Sequence, residues 1–351
     1  MASAPSGSRS GTALETTPGG AAAQAPPLPA VGRNAIWVFI FRRLLLGALV
    51  LILVSIVIFL ATQALPGDTA RAILGRTATP ASLAALREQL HLNRPLVVQY
   101  LIWAGGLLHG DAGQSMAAQE PVMKLIADRI VNSAFLVLCS GLISIPLSVL
   151  VGAYAALWRD RAFDVVTSLT TLVFAALPEF VVGIALVILF ATTVSPVLPA
   201  VSQIPPGGRP WQQPVVLILP TLTLVIAVTP YVARIMRASM IEVLESDYVE
   251  LARLKGLAER IVILRHALPN ALGPTFQVIA LNLAYLAGGV IVVEYVFNYA
   301  GIGGALRDAV SNRDLPVIQA LAMLIAGLYV LLNLLADIAT ILVTPRLRTR
   351  L

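Results

Sequence analysis

The hydrophobic residues of this chain are collected in six long blocks that are separated by more polar segments. Each block is about as long as the roughly 20 residues that an α-helix needs to cross a bilayer, or longer. The pattern therefore predicts an all-α polytopic membrane protein with six transmembrane helices. The predicted spans lie at 37–65, where the apolar run is Leu44–Ala61, and at 131–157, 164–192, 214–236, 271–293 and 317–343.

The segments outside these blocks differ in composition. Residues 1–36 are rich in Ala, Ser, Gly, Pro and Thr, so they cannot bury enough apolar surface to fold, and we expect a disordered N-terminal extension. The segment 66–130 is long and more polar, with a predicted helix at Pro80–Leu90 and a helix break at Arg94–Pro95. The rest of the chain divides into a five-helix core at 131–343, a charged loop within it at 238–270, and a tail at 344–351.

The composition supports a membrane location. Hydrophobic residues make up 58% of the chain and charged residues 12%, about half the charge of an ordinary soluble domain. Arg42 and Arg43 precede the first apolar run, which raises the alternative of a twin-arginine signal peptide. That run exceeds the usual 7–15 residues of a signal core, and further spans follow it, so we expect a retained helix.

The distribution of Arg and Lys predicts the orientation of the chain. With six spans, fifteen basic residues fall on the side of the two termini, whereas the short loops opposite hold only Arg209, Arg307 and Arg313. Short loops rich in Arg and Lys stay in the cytoplasm. Both termini are therefore predicted to be cytoplasmic, in a bacterial plasma membrane, and the segment 66–130 extracytoplasmic. The net charge of +6 is then explained without a nucleic-acid partner.

The charged loop is patterned as two short helices. Apolar residues at Ile241, Leu244, Tyr248 and Leu251 recur with the spacing of an amphipathic helix, and Gly256 is placed to end it in a left-handed conformation. Leu257, Ile261 and Leu264 continue to Pro269, which is expected to stop the second helix. From the pattern alone, this pair could dock into another protein or lie on the lipid surface.

The loop also resembles a known motif. Glu250-Leu251-Ala252 is followed after three residues by Gly256, and after nine more by His266-Ala267-Leu268-Pro269. This resembles the EAA loop of ABC importer permeases, whose pattern is Glu-Ala-Ala, three residues, Gly, nine residues and Ile-x-Leu-Pro. The chain keeps the motif at Glu250, Ala252, Gly256, Leu268 and Pro269, and it departs from it at Leu251 and His266.

The resemblance extends over nearly the whole chain after residue 36. The strings Asp247–Leu257 and Leu264–Ala271 are similar to the dipeptide/oligopeptide branch of these permeases. The long segment behind the first span is typical of its first-type subunit. Further similar strings are Leu65–Asp68, Gly110–Ser115, Gly301–Gly303, Arg313–Val317 and Pro345–Arg348.

The resemblance implies the MetI-like bundle of an importer for short peptides. A second-type permease would complete the translocation pathway, an extracytoplasmic binding protein would deliver the substrate, and two cytoplasmic ATPase subunits would bind ATP and Mg²⁺. The sequence contains no Gly-x-x-x-x-Gly-Lys-Ser/Thr loop, so we expect neither a cofactor nor a catalytic site in this chain. Nickel complexes, glutathione and oligosaccharides are alternative substrates within the same branch.

The resemblance also assigns roles to the loop residues. Glu250, Ala252, Gly256, Leu268 and Pro269 would couple the permease to its ATPases, with Gly256 providing the bend and Ala252 letting its helix sit deep in a groove. Ordinary helix capping and packing is the alternative.

Acidic and amide residues near the bilayer are the other candidates. Glu179, inside the third predicted span, could line the pathway and meet a peptide's amino terminus, or bond a neighbouring helix. Glu294 and Asp314 flank an outer loop and could contact the binding protein, or be solvated. Near the inner end of the last span, we expect Asp337 either to snorkel to the interface or to pair with a basic neighbour. Asn282 and Asn333 are predicted to form hydrogen bonds between helices.

Two rival classes lack sequence support. An ion-coupled secondary transporter usually has several ionisable groups in the membrane and internal repeats, whereas Glu179 stands almost alone. A membrane enzyme would need a catalytic motif, and none is recognised. The histidines, His91, His109 and His266, lie far apart in loops, so no metal site is predicted.

Overall fold

The computed structural model describes residues 33–64, 79–89, 93–205 and 207–343, and the regular structure in these ranges is helical. The helices are α1 Arg33–Gln63, α2 Pro80–Gln89, α3 Leu96–Leu108, α4 Val122–Leu157, α5 Ala162–Ala176, α6 Glu179–Val187, α7 Pro214–Leu244, α8 Asp247–Leu254, α9 Glu259–Ile261, α10 Leu268–Val296, α11 Ile302–Ser311 and α12 Leu315–Val343. Single π-helical turns, Ile188–Thr192 and Val262–Ala267, extend α6 and α9.

The membrane-spanning helices agree with the predicted all-α polytopic class. Four helices in the described ranges are long and apolar enough to cross a bilayer, namely α1, α4, α7 and α12. Two bent pairs raise the number of candidate spans to six if each pair is one span. One pair is α5 with α6, and the other is formed by the two parts of the α9–α10 segment, which bends by 47° between Leu286 and Gly288.

The third predicted span, 164–192, is not one continuous helix. α5 and α6 meet at an angle of 105°, and the backbones of Leu177 and Pro178 between them are extended. Proline disfavours helical geometry in the residue before it and has no N–H for the helix ladder, so Leu177–Pro178 ends α5. Glu179 therefore begins α6 instead of lying in mid-helix.

α7 is the centre of the bundle. It packs against α4, α5, α6 and α10. It also buries more side chains than any other helix in the described part of the chain. The face of α4 towards the interior is made of small residues, among them Ser140, Ser144, Ser148 and Gly152. Small residues let helix backbones approach closely in membranes. At Gly152 the approach is so close that an added Cβ would overlap the carbonyl oxygen of Ala233.

α1 and α12 form the periphery of the bundle and pack against each other. Most large apolar side chains of α1 are exposed, as lipid contact requires. Arg43 and Asp337 form an ion pair of 3.1 Å, so pairing with a basic neighbour is the one of the two alternatives for Asp337 that the structure bears out. Gln319 of α12 also donates a hydrogen bond of 2.6 Å to Thr62 of α1.

The segment after α1 has helices of its own. The helix predicted at Pro80–Leu90 is present as α2. α3 packs against α1 through Tyr100 and Trp103. Their ring centroids lie 5.6 and 5.7 Å, respectively, from the ring centroid of Phe59. The predicted disordered extension 1–36 overlaps α1, which begins at Arg33, so its residues 33–36 are helical instead. Residues 1–32 of that prediction, Leu65–Asp68 and the tail 344–351 lie outside the described residues.

Candidate functional site

The loop 238–270 is helical, but its helices have different ends from those predicted. α7 continues to Leu244, and the chain turns at Glu245 and Ser246 before α8 begins. Ile241 and Leu244 therefore belong to the end of α7, so the expected single amphipathic helix through Leu251 was wrong. Residues 245–269, from this turn to the start of α10, are called the coupling segment, after the role that the resemblance implies for them.

Gly256 provides the expected left-handed bend. Its φ is +78°, and nothing lies within 4 Å of an added Cβ. The Gly256 N–H donates to the Arg253 carbonyl at 2.9 Å, and the Leu257 N–H donates to the Ala252 carbonyl at 3.4 Å. This pair of bonds is a Schellman motif, which satisfies carbonyls at the end of a helix. The bend is therefore built into the backbone of the coupling segment.

The side chain of Arg253 stabilises the bend through hydrogen bonds to residues on either side of it. Its guanidinium donates to both carboxylate oxygens of Glu259, at 3.2 and 2.8 Å, and to the Leu244 carbonyl at 3.5 Å. The hydrogen bonds from Arg253 hold the pKa of Glu259 below its ordinary value. One side chain thus connects the end of α7, helix α8 and the start of α9.

The buried side of the coupling segment is small and apolar. Val249, Ala252 and Val262 are buried together, with Val243 of α7 packed against them. Ala252 is 6% exposed and faces its own chain. The expectation that Ala252 seats its helix in a groove of another protein is not supported, because its side chain holds α8 against α7 and α9.

The opposite side of α8 and α9 exposes large apolar side chains. Tyr248 is 42% exposed, Leu251 55% and Leu254 77%. Exposed apolar surface of this kind marks a contact with protein or lipid. After the role that the resemblance implies, we call the exposed apolar side chains of the coupling segment the coupling face: Tyr248, Leu251, Leu254, Leu257, Ile261 and Leu264.

The coupling segment continues into the helix bundle without a stop. The π-turn after α9 passes directly into α10, and Pro269 lies in the first turn of α10, where its missing N–H has no partner to lose. The expectation that Pro269 ends a helix was therefore wrong. Leu268 packs against a buried cluster that includes Ala156 of α4, Met236 and Met240 of α7.

Glu179 lies at the break between α5 and α6, partly exposed. The Tyr285 hydroxyl of α10 donates a hydrogen bond to its Oε1, and an added Cβ at Gly289 would lie 3.1 Å from the same oxygen. On the other side of the break, Tyr231 of α7 donates to the Ala175 carbonyl at 3.0 Å. α10 thus contacts the accessible carboxylate of Glu179, while α7 holds the end of α5 beside the break.

Glu294 is buried at the other end of α10. Its carboxylate accepts hydrogen bonds from the Ser133 hydroxyl and from the Gly303 N–H, the latter at 2.7 Å. The Ile302 N–H in turn donates to the Ser133 hydroxyl at 2.9 Å. Gly301 packs against the carboxylate so closely that any Cβ there would overlap it. The carboxylate therefore anchors the start of α11 to α4 and α10.

Asp314 has a similar role between α11 and α12. It is 3% exposed and accepts hydrogen bonds from the Ser115 hydroxyl and from the N–H groups of Met116 and Ala117, the last two at 3.0 and 3.2 Å. The loop before α4 is thereby attached to the start of α12. Contact of Asp314 or Glu294 with a binding protein is not supported, because both side chains are buried.

Comparison with known proteins identifies the family. Residues 148–349 match the family "Binding-protein-dependent transport system inner membrane component", and residues 36–137 match its N-terminal part, "Binding-prot-dependent transport system membrane comp, N-term". The chain belongs to this family. It is therefore a multi-pass inner-membrane permease component of a binding-protein-dependent transport system.

Several relatives match the permease over nearly their whole length. It is 41% identical over 314 residues to the "Probable peptide ABC transporter permease protein y4tP" of Sinorhizobium fredii, which covers 89% of this chain and 99% of the relative. It is 37% identical over 310 residues to the "Glutathione transport system permease protein GsiC" of Salmonella choleraesuis, covering 88% and 98%. Escherichia coli K12 GsiC is 36% identical over 310 residues, covering 88% and 98%.

The remaining candidates of the permease have local roles. Asn282 and Asn333 donate to the carbonyls of Val278 and Tyr329, each four residues earlier in its own helix. The expected bonds between helices are therefore not made. Among the described residues, no group of three or more His, Cys, Asp and Glu side chains could hold a metal ion.

The hydrogen-bond partners of the buried Glu294 and Asp314 were not predicted from the sequence. Ser133 and Ser115 are separated from Glu294 and Asp314 by long stretches of chain, and a single serine is too common to be a signal by itself. Gly301 and Gly303 were the sequence signal for the surroundings of Glu294. A backbone that approaches a carboxylate closely enough to donate its N–H groups often needs glycine.

Proposed function

We propose that this permease forms, together with a second permease, the translocation pathway of an ATP-driven importer for short peptides. Two cytoplasmic ATPase subunits and an extracytoplasmic binding protein complete the complex. The observation that carries the proposal is the coupling face, an exposed apolar surface on a glycine-bent segment that continues into the core of the bundle. The family of the chain supports the same conclusion.

The substrate class rests on the relatives. One of them is named as a probable peptide transporter component, and glutathione, which the others are named for, is itself a small peptide. We therefore propose short peptides as the substrate, with glutathione as the second candidate.

We further propose six spans with both termini in the cytoplasm. The two bent pairs then each cross the membrane once, and the coupling face lies on the cytoplasmic side. This orientation places the Arg-rich end of α7, with Arg234 and Arg237, at the inner surface, as the positive-inside rule requires. The loops held by Glu294 and Asp314 lie on the outer side.

Coupling would follow from the continuity of the structure. When the ATPases bind ATP and approach each other, the coupling face moves with them. Leu268 and the end of α7 connect the coupling segment to α4, α7 and α10, so the motion reaches the core as a rigid-body displacement. In this mechanism Gly256, Arg253 and Ala252 keep the coupling segment rigid, and the exposed side chains make the contact.

Glu179 is the proposed pathway residue. A carboxylate at membrane depth is costly and is expected to serve a function. Here it is partly accessible, it stands at a helix break, and its bound tyrosine leaves one carboxylate oxygen for a ligand. The complementary group on a peptide is its protonated amino terminus.

The coupling proposal is tested with one charged substitution and a matched control. Leu254→Asp places a carboxylate on the coupling face, and Leu108→Asp makes the same change at a similarly exposed site on α3. The complex is purified in detergent and assayed in proteoliposomes for peptide uptake. We expect Leu254→Asp to lose the co-purified ATPase subunits and uptake, and Leu108→Asp to keep the ATPases.

The lipid-surface alternative makes the opposite prediction. If α8 and α9 only lie on the bilayer, Leu254→Asp keeps its full complement of ATPase subunits and its uptake, and the coupling proposal is refuted. Substrate class is read from the wild-type complex, in which labelled dipeptides and tripeptides compete with glutathione. Uptake of nickel complexes or oligosaccharides in preference to both would overturn the peptide assignment.

A further inference from the structure

A partly buried ion pair joins α5 to α7 near the end of α7 that leads to the coupling segment. The Arg237 guanidinium donates to both carboxylate oxygens of Asp164, with Nη2 at 2.7 Å from Oδ2. The Asp164 side chain is 4% exposed and that of Arg237 29%. The Asp160 N–H adds a third hydrogen bond to the carboxylate, at 2.9 Å. A planar guanidinium bound through two hydrogen bonds fixes orientation as well as distance.

The other end of α5 is also attached to α7. The Tyr231 hydroxyl donates to the carbonyl of Ala175, one of the last four carbonyls of α5, which have no partner within the helix. Asp164 and Ala175 lie at opposite ends of α5, and their partners Arg237 and Tyr231 are both on α7. Because the attachment points are separated along both helices, α5 can neither slide nor tilt on α7 without breaking one of them.

These attachments place α5 between the two proposed working parts of the permease. α7 leads directly to the coupling segment, and its Leu244 carbonyl is bound by Arg253. α5 leads directly to the break that carries Glu179. A displacement of the end of α7 must therefore displace the break as well, as long as α5 stays attached.

We propose that Asp164 and Arg237 are positioning residues for transport, which make α5 move with α7 so that motion of the coupling segment reaches the pathway at Glu179. This inference rests on the proposed function. Loss of the ion pair would leave α7 and the ATPases engaged while the break no longer follows. ATP would then be hydrolysed with little substrate movement.

A purely structural role of the ion pair predicts something different. In that case its loss lowers the amount of assembled complex, and the complex that remains transports normally for each ATP. The ratio of peptide imported to ATP hydrolysed therefore separates the two roles, because it does not depend on how much complex is recovered.

The first experiment measures this ratio in proteoliposomes that contain the whole complex. Asp164→Asn and Arg237→Gln are each expected to lower it about tenfold, the range of an ordinary coupling between two sites, at close to wild-type rates of stimulated ATP hydrolysis. Arg234→Gln, on the same helix and exposed, is the matched control and should leave the ratio unchanged. An unchanged ratio in both ion-pair variants overturns the proposal.

The second experiment measures the motion of α5 relative to α7 directly, first with the ion pair intact and then without it. Cys139 is the single cysteine of the chain, so Cys139→Ala gives a background for spin labels at Val173 of α5 and Glu242 of α7, both exposed. We expect the distance between the labels to be the same in nucleotide-free and ATP-bound complexes, and to differ between these states once Asp164→Asn is added. A distance that already changes with ATP in the background protein overturns the proposal.

Failure of the proposed function would be seen separately. A wild-type complex that shows no binding-protein-stimulated uptake would refute the importer assignment. The label distances would still report whether α5 follows α7 when ATP binds.

Discussion

The bend at Gly256 gives a direct test of how the coupling segment works. Gly256→Val meets open space at its Cβ, because no atom lies within 4 Å of that position. The cost arises in the backbone, where φ is +78°. An L-residue pays about 1–2 kcal/mol in the left-handed region, which corresponds to roughly a 5–30-fold shift in a conformational equilibrium.

This cost is expected to act on the coupling segment and not on the bundle. Without the left-handed bend, the Schellman bonds are lost and Arg253 no longer meets Glu259. Gly256 is exposed and lies outside the spanning helices, so amounts of the permease in the membrane should remain normal. We expect peptide uptake and binding-protein-stimulated ATP hydrolysis to fall together, by about fivefold or more.

Gly256→Asn is the matched control. Asparagine has a side chain of comparable size to valine and adopts the left-handed conformation far more readily. Gly256→Asn should therefore keep most of the uptake and ATPase activity in proteoliposomes. If both variants are fully active, the bend is not needed for coupling. If both are inactive, bulk on the surface and not backbone conformation explains the loss, and the reasoning from φ is refuted.

Three further predictions concern the bundle, the orientation and the pathway. Gly152→Ala should destabilise the purified complex by about 1–3 kcal/mol, because the added methyl group overpacks against α7. Gly273→Ala, which has open space around it, should not destabilise the complex, and equal melting curves for the two variants would contradict this. Single cysteines at Ser82 and Ser246, in a cysteine-free background, should react with an impermeant thiol reagent only from outside and only from inside the cell, respectively; equal labelling of both would contradict the orientation. Glu179→Gln keeps an acceptor for its tyrosine but loses the charge, so uptake of peptides with a free amino terminus should slow about tenfold, the worth of a charge-assisted hydrogen bond; unchanged uptake would remove Glu179 from the pathway.

Local chemistry made part of the structure predictable. The long apolar blocks indicated the spanning helices because a bilayer leaves few alternatives to a helix of that length. Gly256 was predictable because a left-handed residue after an amphipathic repeat is nearly always glycine. Asp337 was expected to snorkel or to pair because a lone acid in a membrane segment needs water or a basic partner, and the structure identifies Arg43 as that partner.

Other features depend on contacts that no local pattern contains. The apolar repeat did not show which residues attach α8 to the rest of the chain, because Val249 and Ala252 are buried while the larger Tyr248 and Leu251 are exposed. A small side chain allows the close approach of α8 to α7 and α9, which the apolar repeat alone does not reveal. The break at Leu177–Pro178 did have a local signal in the proline, but the long apolar run around it favoured one continuous helix.

The five acidic residues of the helix bundle differ in role because their surroundings differ. Asp164 and Asp337 are held by arginines, so their charge is neutralised within the chain. Glu294 and Asp314 are buried among hydroxyl and N–H donors and are closed to any ligand. Among these acids, Glu179 alone combines a neutral tyrosine partner with partial exposure. The sequence alone does not distinguish these five carboxylates. In the structure, Glu179 is accessible and its charge is not neutralised by an arginine, so it is the one that can bind a cationic group of a substrate.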